Sequence, residues 1–61
     1  MWTIVYIAKN MELAQKLKGI LYEHDIIVML RAINKEQTTG CEILVPDAEV
    51  AKALEIIIDE A

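Results

Sequence analysis

The first apolar segment of the chain, Trp2–Ala8, is short and rich in β-branched and aromatic residues, which is typical of a β-strand. Successive side chains of a strand point to opposite faces, and strands of two-layer domains usually have one wet face. Here both faces are apolar, so the pattern indicates an additional buried surface. By alternation, one face carries Trp2, Ile4 and Tyr6, and the other carries Thr3, Val5 and Ile7.

A helix is predicted to follow over Met11–Glu23, with Asn10 as its N-cap, because asparagine is a preferred capping residue. Gly19 lies inside this helix and costs up to about 1 kcal/mol relative to alanine. We interpret it as allowing close packing against the sheet. Apolar positions recur at helical spacing, and the predicted stripe contains Leu13, Ala14, Leu17, Ile20, Leu21 and His24.

Two further strands are predicted, over residues 26–33 and residues 41–45. The polar segment between them, residues 34–40, has turn-forming residues at both ends and is predicted to be a loop. Pro46 ends the last strand because proline cannot continue a ladder. In the second strand, one predicted face carries Ile26, Val28, Leu30 and Ala32, and the other carries Ile27, Met29, Arg31 and Ile33.

The second helix is predicted to start at Pro46 and Asp47, and Asp47 is well placed to cap or favour its N-terminus. Ile56 falls off its apolar stripe and is a possible docking residue. The predicted buried stripe consists of Val50, Ala51, Leu54, Ile57 and Ile58.

These elements predict one domain over residues 1–61 with the order β-α-β-β-α. A right-handed crossover makes the first two strands parallel, and the third strand turns back antiparallel between them. The predicted fold class is therefore α+β: a two-layer ferredoxin-like sandwich with strand order 1-3-2, both helices on one face and no fourth strand. The first strand is then an exposed apolar edge, which proteins usually cover.

Size and composition favour self-association. A chain of 61 residues buries only about 60% of its unfolded surface and is marginally stable alone. Its one cysteine forbids an internal disulfide, and one cysteine with one histidine cannot complete a zinc site. Apolar residues make up 56% of the chain, so we expect a homo-oligomer, most simply a dimer.

Charge and hydropathy limit the other partners. The net charge is −4 and the six basic residues are scattered, whereas nucleic-acid binding needs clustered lysine and arginine. No apolar run approaches the ~18 residues of a membrane span, and the N-terminus lacks a basic signal-peptide stretch. We therefore expect no nucleic acid, no membrane and, with an unpaired cysteine, a cytoplasmic location.

Two parts of the chain resemble a known family. The front part is a strand ending in Tyr6, Ile7 and Ala8, a cap at Asn10, and a helix containing Ala14 and Leu17. The back part is residues 43–47, Ile-Leu-Val-Pro-Asp, leading into an Ala/Glu-rich helix. Together they resemble the small bacterial family of prokaryotic signal-transducing proteins, a ferredoxin-like family of unknown function. The resemblance implies a cytoplasmic regulatory or ligand-responsive role and supplies no catalytic residues.

The sequence offers little for catalysis. It contains no serine, and its two glycines, Gly19 and Gly40, cannot form a phosphate-binding loop. Cys41 and His24 are the one conceivable catalytic pair, but the predicted topology puts them at opposite ends of the sheet, roughly 15–20 Å apart. We therefore expect a structural Cys41, no catalytic residues, no metal, no cofactor and no enzymatic activity.

Arg31 is a cation between apolar strand neighbours. It is expected either to block pairing at a sheet edge or to pair with Glu42 across the hairpin. The functional alternative is an anion contact shared with Lys35 or Lys9. We favour the structural interpretation and keep Arg31 and Lys35 as weak anion-contact candidates.

The uncovered sheet face gives the most specific hypothesis. Exposed apolar patches usually mark interfaces, and we expect dimerisation through this face or through the edge of the first strand. The function predicted is a small non-enzymatic regulatory or ligand-binding module, and the alternative is a protein-interaction adaptor that docks through the open sheet face. The predicted interface residues are Trp2, Ile4, Tyr6, Glu42 and Leu44.

Overall fold

The computed structural model describes residues 1–35 and 38–60 of the chain. The elements occur in the predicted β-α-β-β-α order, with one 3-10 turn before the last helix. They are β1 (Trp2–Ala8), α1 (Met11–Glu23), β2 (Met29–Lys35), β3 (Thr38–Pro46), the 3-10 turn Asp47–Glu49, and α2 (Val50–Glu60).

The three strands form one sheet in the order β1-β3-β2, and β3 pairs antiparallel with both neighbours. The edge strands are therefore parallel to each other, as a right-handed crossover through α1 requires. Both helices pack on one face of the sheet, where their buried residues meet those of β3. The predicted α+β class, strand order and two-layer arrangement are confirmed.

The core lies between the helices and one face of the sheet. Every described residue in it is apolar, so no buried charge needs a partner. Small residues, Ala14 and Ala53, let each helix approach the strands closely. The core cluster consists of Ala8, Ala14, Leu17, Leu21, Ile26, Val28, Cys41, Ile43, Val45, Ala53 and Ile57.

Local hydrogen bonds fix both ends of α1. The Asn10 side chain accepts a hydrogen bond from the Leu13 amide at 2.8 Å, as predicted for the N-cap. At the other end, the Ile26 amide donates to Leu21 O and the Asp25 amide donates to Tyr22 O. This is a Schellman ending, with Asp25 at the left-handed position (φ 62°) and the buried pair Leu21 and Ile26 supplying its apolar contact.

Gly19 does not have the predicted packing role. It is exposed on α1, and a Cβ built there would meet no described atom within 4 Å. The helix approaches the sheet through Ala14, Leu17 and Leu21 instead.

Both strands of the β2–β3 hairpin extend further toward the turn than predicted, and β2 begins later than predicted. Residues 34–35 and 38–40, predicted as loop, belong to the strands, with Asn34 opposite Thr39 and Lys35 opposite Thr38. Because these residues are polar, the sequence indicated a loop where the two strands pair, although threonine favours strands. Residues 26–28, predicted as strand, lie before β2. On the same register Ile27 and Ile26 would lie opposite Pro46, which has no N–H, and Asp47, which follows the end of β3.

A β-bulge at Val5 changes which side chains of β1 share a face. Ile4 lies opposite Leu44, but Tyr6 lies opposite Ile43, the next residue of β3, so Val5 is an extra residue. Val5 and Tyr6 both pack against the core cluster. The predicted strict alternation is therefore wrong beyond Ile4: Tyr6 faces the helices, and Ile7, opposite Glu42, is on the uncovered side.

The buried stripe of α2 also differs from the predicted one. Ala53 and Ile57 are buried, and Val50 and Ile56 pack against the core, while Ala51, Leu54 and Ile58 are exposed. The 3-10 turn delays the helix to Val50 and sets its rotation about the axis. Ile56 is therefore a packing residue and not a free docking residue.

Asp47 lies in the first turn of the 3-10 segment, where its charge favours the helical N-terminus as predicted, but its side chain makes a tethering contact and no cap. Its carboxylate accepts a hydrogen bond from Thr3 Oγ1, and its amide donates to Met1 O at 2.9 Å. No side chain caps the 3-10 turn. The acid thus ties the start of the last helical segment to β1.

Candidate functional site

The side of the sheet opposite the helices is a largely apolar surface, which we call the open face. No helix within residues 1–35 and 38–60 covers it. The strand register arranges it in rows that run from β1 across β3 to β2. The rows are Trp2 and Pro46; Ile4, Leu44 and Met29; Ile7, Glu42 and Arg31; and Gly40 with Ile33.

The third row carries a pair of opposite charges. Arg31 and Glu42 are directly opposite each other on β2 and β3, and Arg31 Nε donates to Glu42 Oε1 at 2.5 Å. The hydrogen bond and the charge of Glu42 raise the pKa of Arg31 further above its usual value. The contact with Glu42 therefore favours the charged form of a side chain that is already cationic at ordinary pH. The predicted cross-strand pair between Arg31 and Glu42 is present.

A shallow depression at Gly40 borders this pair. A Cβ at Gly40 would lie 3.1 Å from Ala8 O, 3.9 Å from Ile7 Cγ2 and 4.0 Å from Ile33 Cδ1. The two isoleucine side chains therefore stand on either side of a position without a side chain. The close carbonyl also shows why glycine suits this position.

Four of the five predicted interface residues lie on the open face: Trp2, Ile4, Glu42 and Leu44. Leu44 is only 5% exposed even without a covering layer, because Ile4 and Met29 lie on either side of it. Tyr6, the fifth, faces the helices because of the bulge.

Two accessible residues of the open face were absent from the prediction, Ile7 and Met29. Alternation along β2 already placed Met29 opposite the core face, so the sequence contained a signal for it. Strict alternation put Ile7 on the face opposite Ile4. The bulge at Val5 reverses this, and a bulge with a β-branched residue has no distinctive sequence pattern.

Cys41 lies on the covered face between Ala8 and Ala32 and has no solvent exposure. His24 is exposed at the C-cap of α1. The helix that separates these two regions has 13 residues and therefore spans about 20 Å. The two side chains are not brought together, as predicted from the topology, and the His24 carbonyl instead accepts a hydrogen bond from Lys52 Nζ at 3.3 Å.

An open groove of about 460 Å³ lies where β1 leads into α1. Its position puts two lysines near the N-terminus of the helix, but an acid lines it too, and the Asn10 side chain is already engaged with Leu13. It is lined by Lys9, Asn10, Glu12, Leu13 and Lys16.

The structure separates two of the three anion-contact candidates, Lys9 and Arg31. Lys9 lines the groove at the start of α1, whereas Arg31 is bound to Glu42 on the open face. Lys35 pairs with Thr38 through the backbone, and its side chain lies outside the described part of the chain. Within the described residues, no three His, Cys, Asp or Glu side chains are grouped to hold a metal ion. None of the described helices has the length and apolarity to cross a membrane.

Comparisons with known proteins add no relative: no family model matches the chain, and no curated protein and no solved structure is significantly similar to it. The resemblance to the signal-transducing family therefore stays a prediction. What the chain does has to be argued from its own surface.

Proposed function

We propose that this chain is a small interaction module that acts by docking through the open face and performs no catalysis. The observation that carries this proposal is the exposure of large apolar side chains on one sheet face. Trp2, Ile4 and Met29 are each about 40% exposed and Ile7 is 58% exposed. Contiguous apolar surface of this kind usually marks an interface.

The composition of the open face supports docking of a protein surface. Aromatic residues, methionine and arginine are enriched at the centres of protein–protein interfaces, and Trp2, Met29 and Arg31 supply all three. The charged pair is surrounded by apolar rows, so a partner would find orientation and apolar contact in the same patch.

The chemistry of the described residues favours binding over catalysis. A nucleophilic cysteine needs access and a cationic neighbour, whereas Cys41 is fully buried among alanine and aliphatic side chains. His24 is far from it, at the other end of α1. The two residues of the conceivable catalytic pair are therefore separated, whereas four exposed large apolar side chains share the open face.

Site-specific photocrosslinking in cells tests the docking surface. A benzophenone amino acid replaces Ile7 on the open face or, as the matched control, Glu55 on the exposed side of α2. Both positions are solvent-exposed, so both variants should keep the native circular dichroism spectrum. We expect discrete protein adducts from position 7 and few from position 55. Equal yields at both positions, or adducts from position 55 alone, would contradict the proposal.

A regulatory small-molecule site is the second candidate function, and the groove beside Lys9 and Lys16 is the observation that favours it. Its two cations suit an anionic metabolite. A thermal-shift screen with nucleotides and carboxylate metabolites, run on wild type and on Lys16→Glu, tests this candidate. A ligand-specific rise in melting temperature that Lys16→Glu removes would support it, and equal shifts in both proteins would exclude the groove.

A further inference from the structure

We propose that the open face is covered by a second copy of this chain, in a two-fold symmetric dimer whose sheets pack face to face. The proposal rests on the proposed function of the open face as a docking surface and names the partner. Charge pattern, area and shape each support it.

The Arg31–Glu42 pair is complementary to itself. Arg31 uses Nε for Glu42 Oε1, and both of its NH2 groups and the second carboxylate oxygen of Glu42 have no hydrogen-bond partner among the described residues. Two-fold interfaces are self-complementary, because each contact occurs twice with the roles exchanged. A two-fold axis that runs parallel to the strands, midway between β2 and β3, brings Arg31 against the partner's Glu42, and Glu42 against the partner's Arg31. Four charges then alternate in sign.

Other possible partners would offer fewer hydrogen bonds to the Arg31–Glu42 pair. A charged pair that is removed from water needs hydrogen bonds for its remaining donors and acceptors. A purely apolar helix or an acyl-chain surface offers none, and an anionic lipid surface would repel a chain of net charge −4. A second copy supplies matching donors and acceptors from the same two residues.

The same axis also matches the apolar rows. The β2 and β3 residues of each row then face their counterparts on the other copy, and β1 lies at the rim of the contact, beside the partner's β2. Met29 lies against the partner's Leu44, and Ile33 stands opposite the depression at the partner's Gly40. Ile33, which flanks Gly40 on one copy, therefore meets Gly40, which has no side chain, on the other copy.

The area of the face is sufficient for a stable dimer. A specific interface of ordinary size removes about 800 Å² from each partner, which is under a fifth of the 4376 Å² accessible surface of this chain. The molecule is flat, with extents of 33 × 24 × 15 Å. A two-layer fold has its sheet on one of the two broad sides. With the axis between β2 and β3, about two-thirds of that side is in contact, which is enough for the roughly 1,000 Å² in total that a small specific interface buries.

Charge exchange tests the dimer and its geometry together. Arg31→Glu puts four carboxylates at the proposed interface, and Glu42→Arg puts four guanidinium groups there. We expect each variant to weaken self-association by roughly 100-fold in sedimentation velocity, because like charges face each other across the contact. Lys18→Glu and Glu55→Arg make the same charge changes on the helices, outside the open face and the groove, and should associate like wild type.

Mixing the two variants gives the decisive result. Arg31→Glu and Glu42→Arg chains in equal amounts should form a mixed dimer, visible in native mass spectrometry as one copy of each. The double exchange Arg31→Glu/Glu42→Arg restores the pair within each chain and should dimerise alone, which separates loss of the contact from loss of the fold.

Three results would overturn the second-copy proposal. They are a wild-type monomer up to millimolar concentration, variants that dimerise as wild type does, and a mixture without mixed dimers. A wild-type monomer that still gives heterologous adducts from position 7 refutes the dimer and leaves the docking function standing. Self-association that neither charge exchange weakens would exclude this contact and favour the alternative, the edge of β1.

Discussion

The two faces of the sheet have similar apolar side chains and opposite surroundings. On the face under the helices, Cys41, Ile43 and Val45 of β3 are completely buried. On the open face, the flanking side chains Ile4, Ile7 and Met29 remain accessible. The difference shows that apolar character alone does not identify a core. Two helices decide which apolar face becomes the interior, and the other face keeps its capacity to bind.

The faces also differ in how they treat charge. The core contains no described charged side chain, whereas the open face holds Arg31 and Glu42 in its third row. A permanently covered core gains little from a charged pair, since desolvation offsets the attraction. A surface that must bind one partner in one orientation gains specificity from the same pair.

Truncating one isoleucine on each face gives the largest expected contrast. Ile43→Ala leaves a cavity beneath the helices and should lower the free energy of unfolding by about 3–4 kcal/mol. Ile7→Ala removes a half-exposed side chain and should cost about 1 kcal/mol or less at concentrations where the chain is monomeric. Urea denaturation measures both. Equal losses would show that the open face is part of a folding core.

The thiol on the covered face gives the next effect. Cys41→Ser buries a hydroxyl in apolar surroundings and should lower the free energy of unfolding by about 2 kcal/mol, more than the Cys41→Ala control. The same burial predicts that the native thiol alkylates only as fast as the protein unfolds. Rapid alkylation of Cys41 in the folded protein would contradict the closed face described above.

The two glycines give the smallest effects, and these have opposite signs. Gly40→Ala forces a methyl group toward the Ala8 carbonyl and should destabilise the chain by about 1 kcal/mol. Gly19→Ala adds a methyl group in open space within α1 and should stabilise the chain by about 0.5–1 kcal/mol, raising the melting temperature by about 2–8 °C. A melting temperature that Gly19→Ala lowers would mean that the glycine has a contact after all.

Much of the fold follows from the sequence because local signals and chain connectivity agree. The bounds of β1 and α1 were predicted from β-branched residues, the Asn10 cap and helical spacing, and the structure has the same bounds. The crossover through α1 made the first two strands parallel, and the prediction that the third strand inserts between them gave the observed order. The cross-strand pairing of Arg31 with Glu42 followed from the antiparallel hairpin.

The remaining features depend on interactions that a one-dimensional pattern does not contain. The hairpin extends through polar residues because the strands pair there, and the rotation of α2 is set by the 3-10 turn before it. The membership of the open face depends on Val5, where two side chains in succession turn toward the helices. Strict alternation therefore placed Tyr6 on the wrong side and omitted Ile7.

The bulge at Val5 has a consequence for evolutionary comparison. If Val5 were deleted, every observed pair between β1 and β3 would be preserved, because Ile4 already faces Leu44 and Tyr6 already faces Ile43. A homologue lacking this residue would have the same faces and a strictly alternating strand. Its alignment with this chain needs a one-residue gap in the middle of a strand, where alignments are usually kept gap-free. Without that gap, either the Trp2 half or the Ala8 half of the strand is matched to the wrong face.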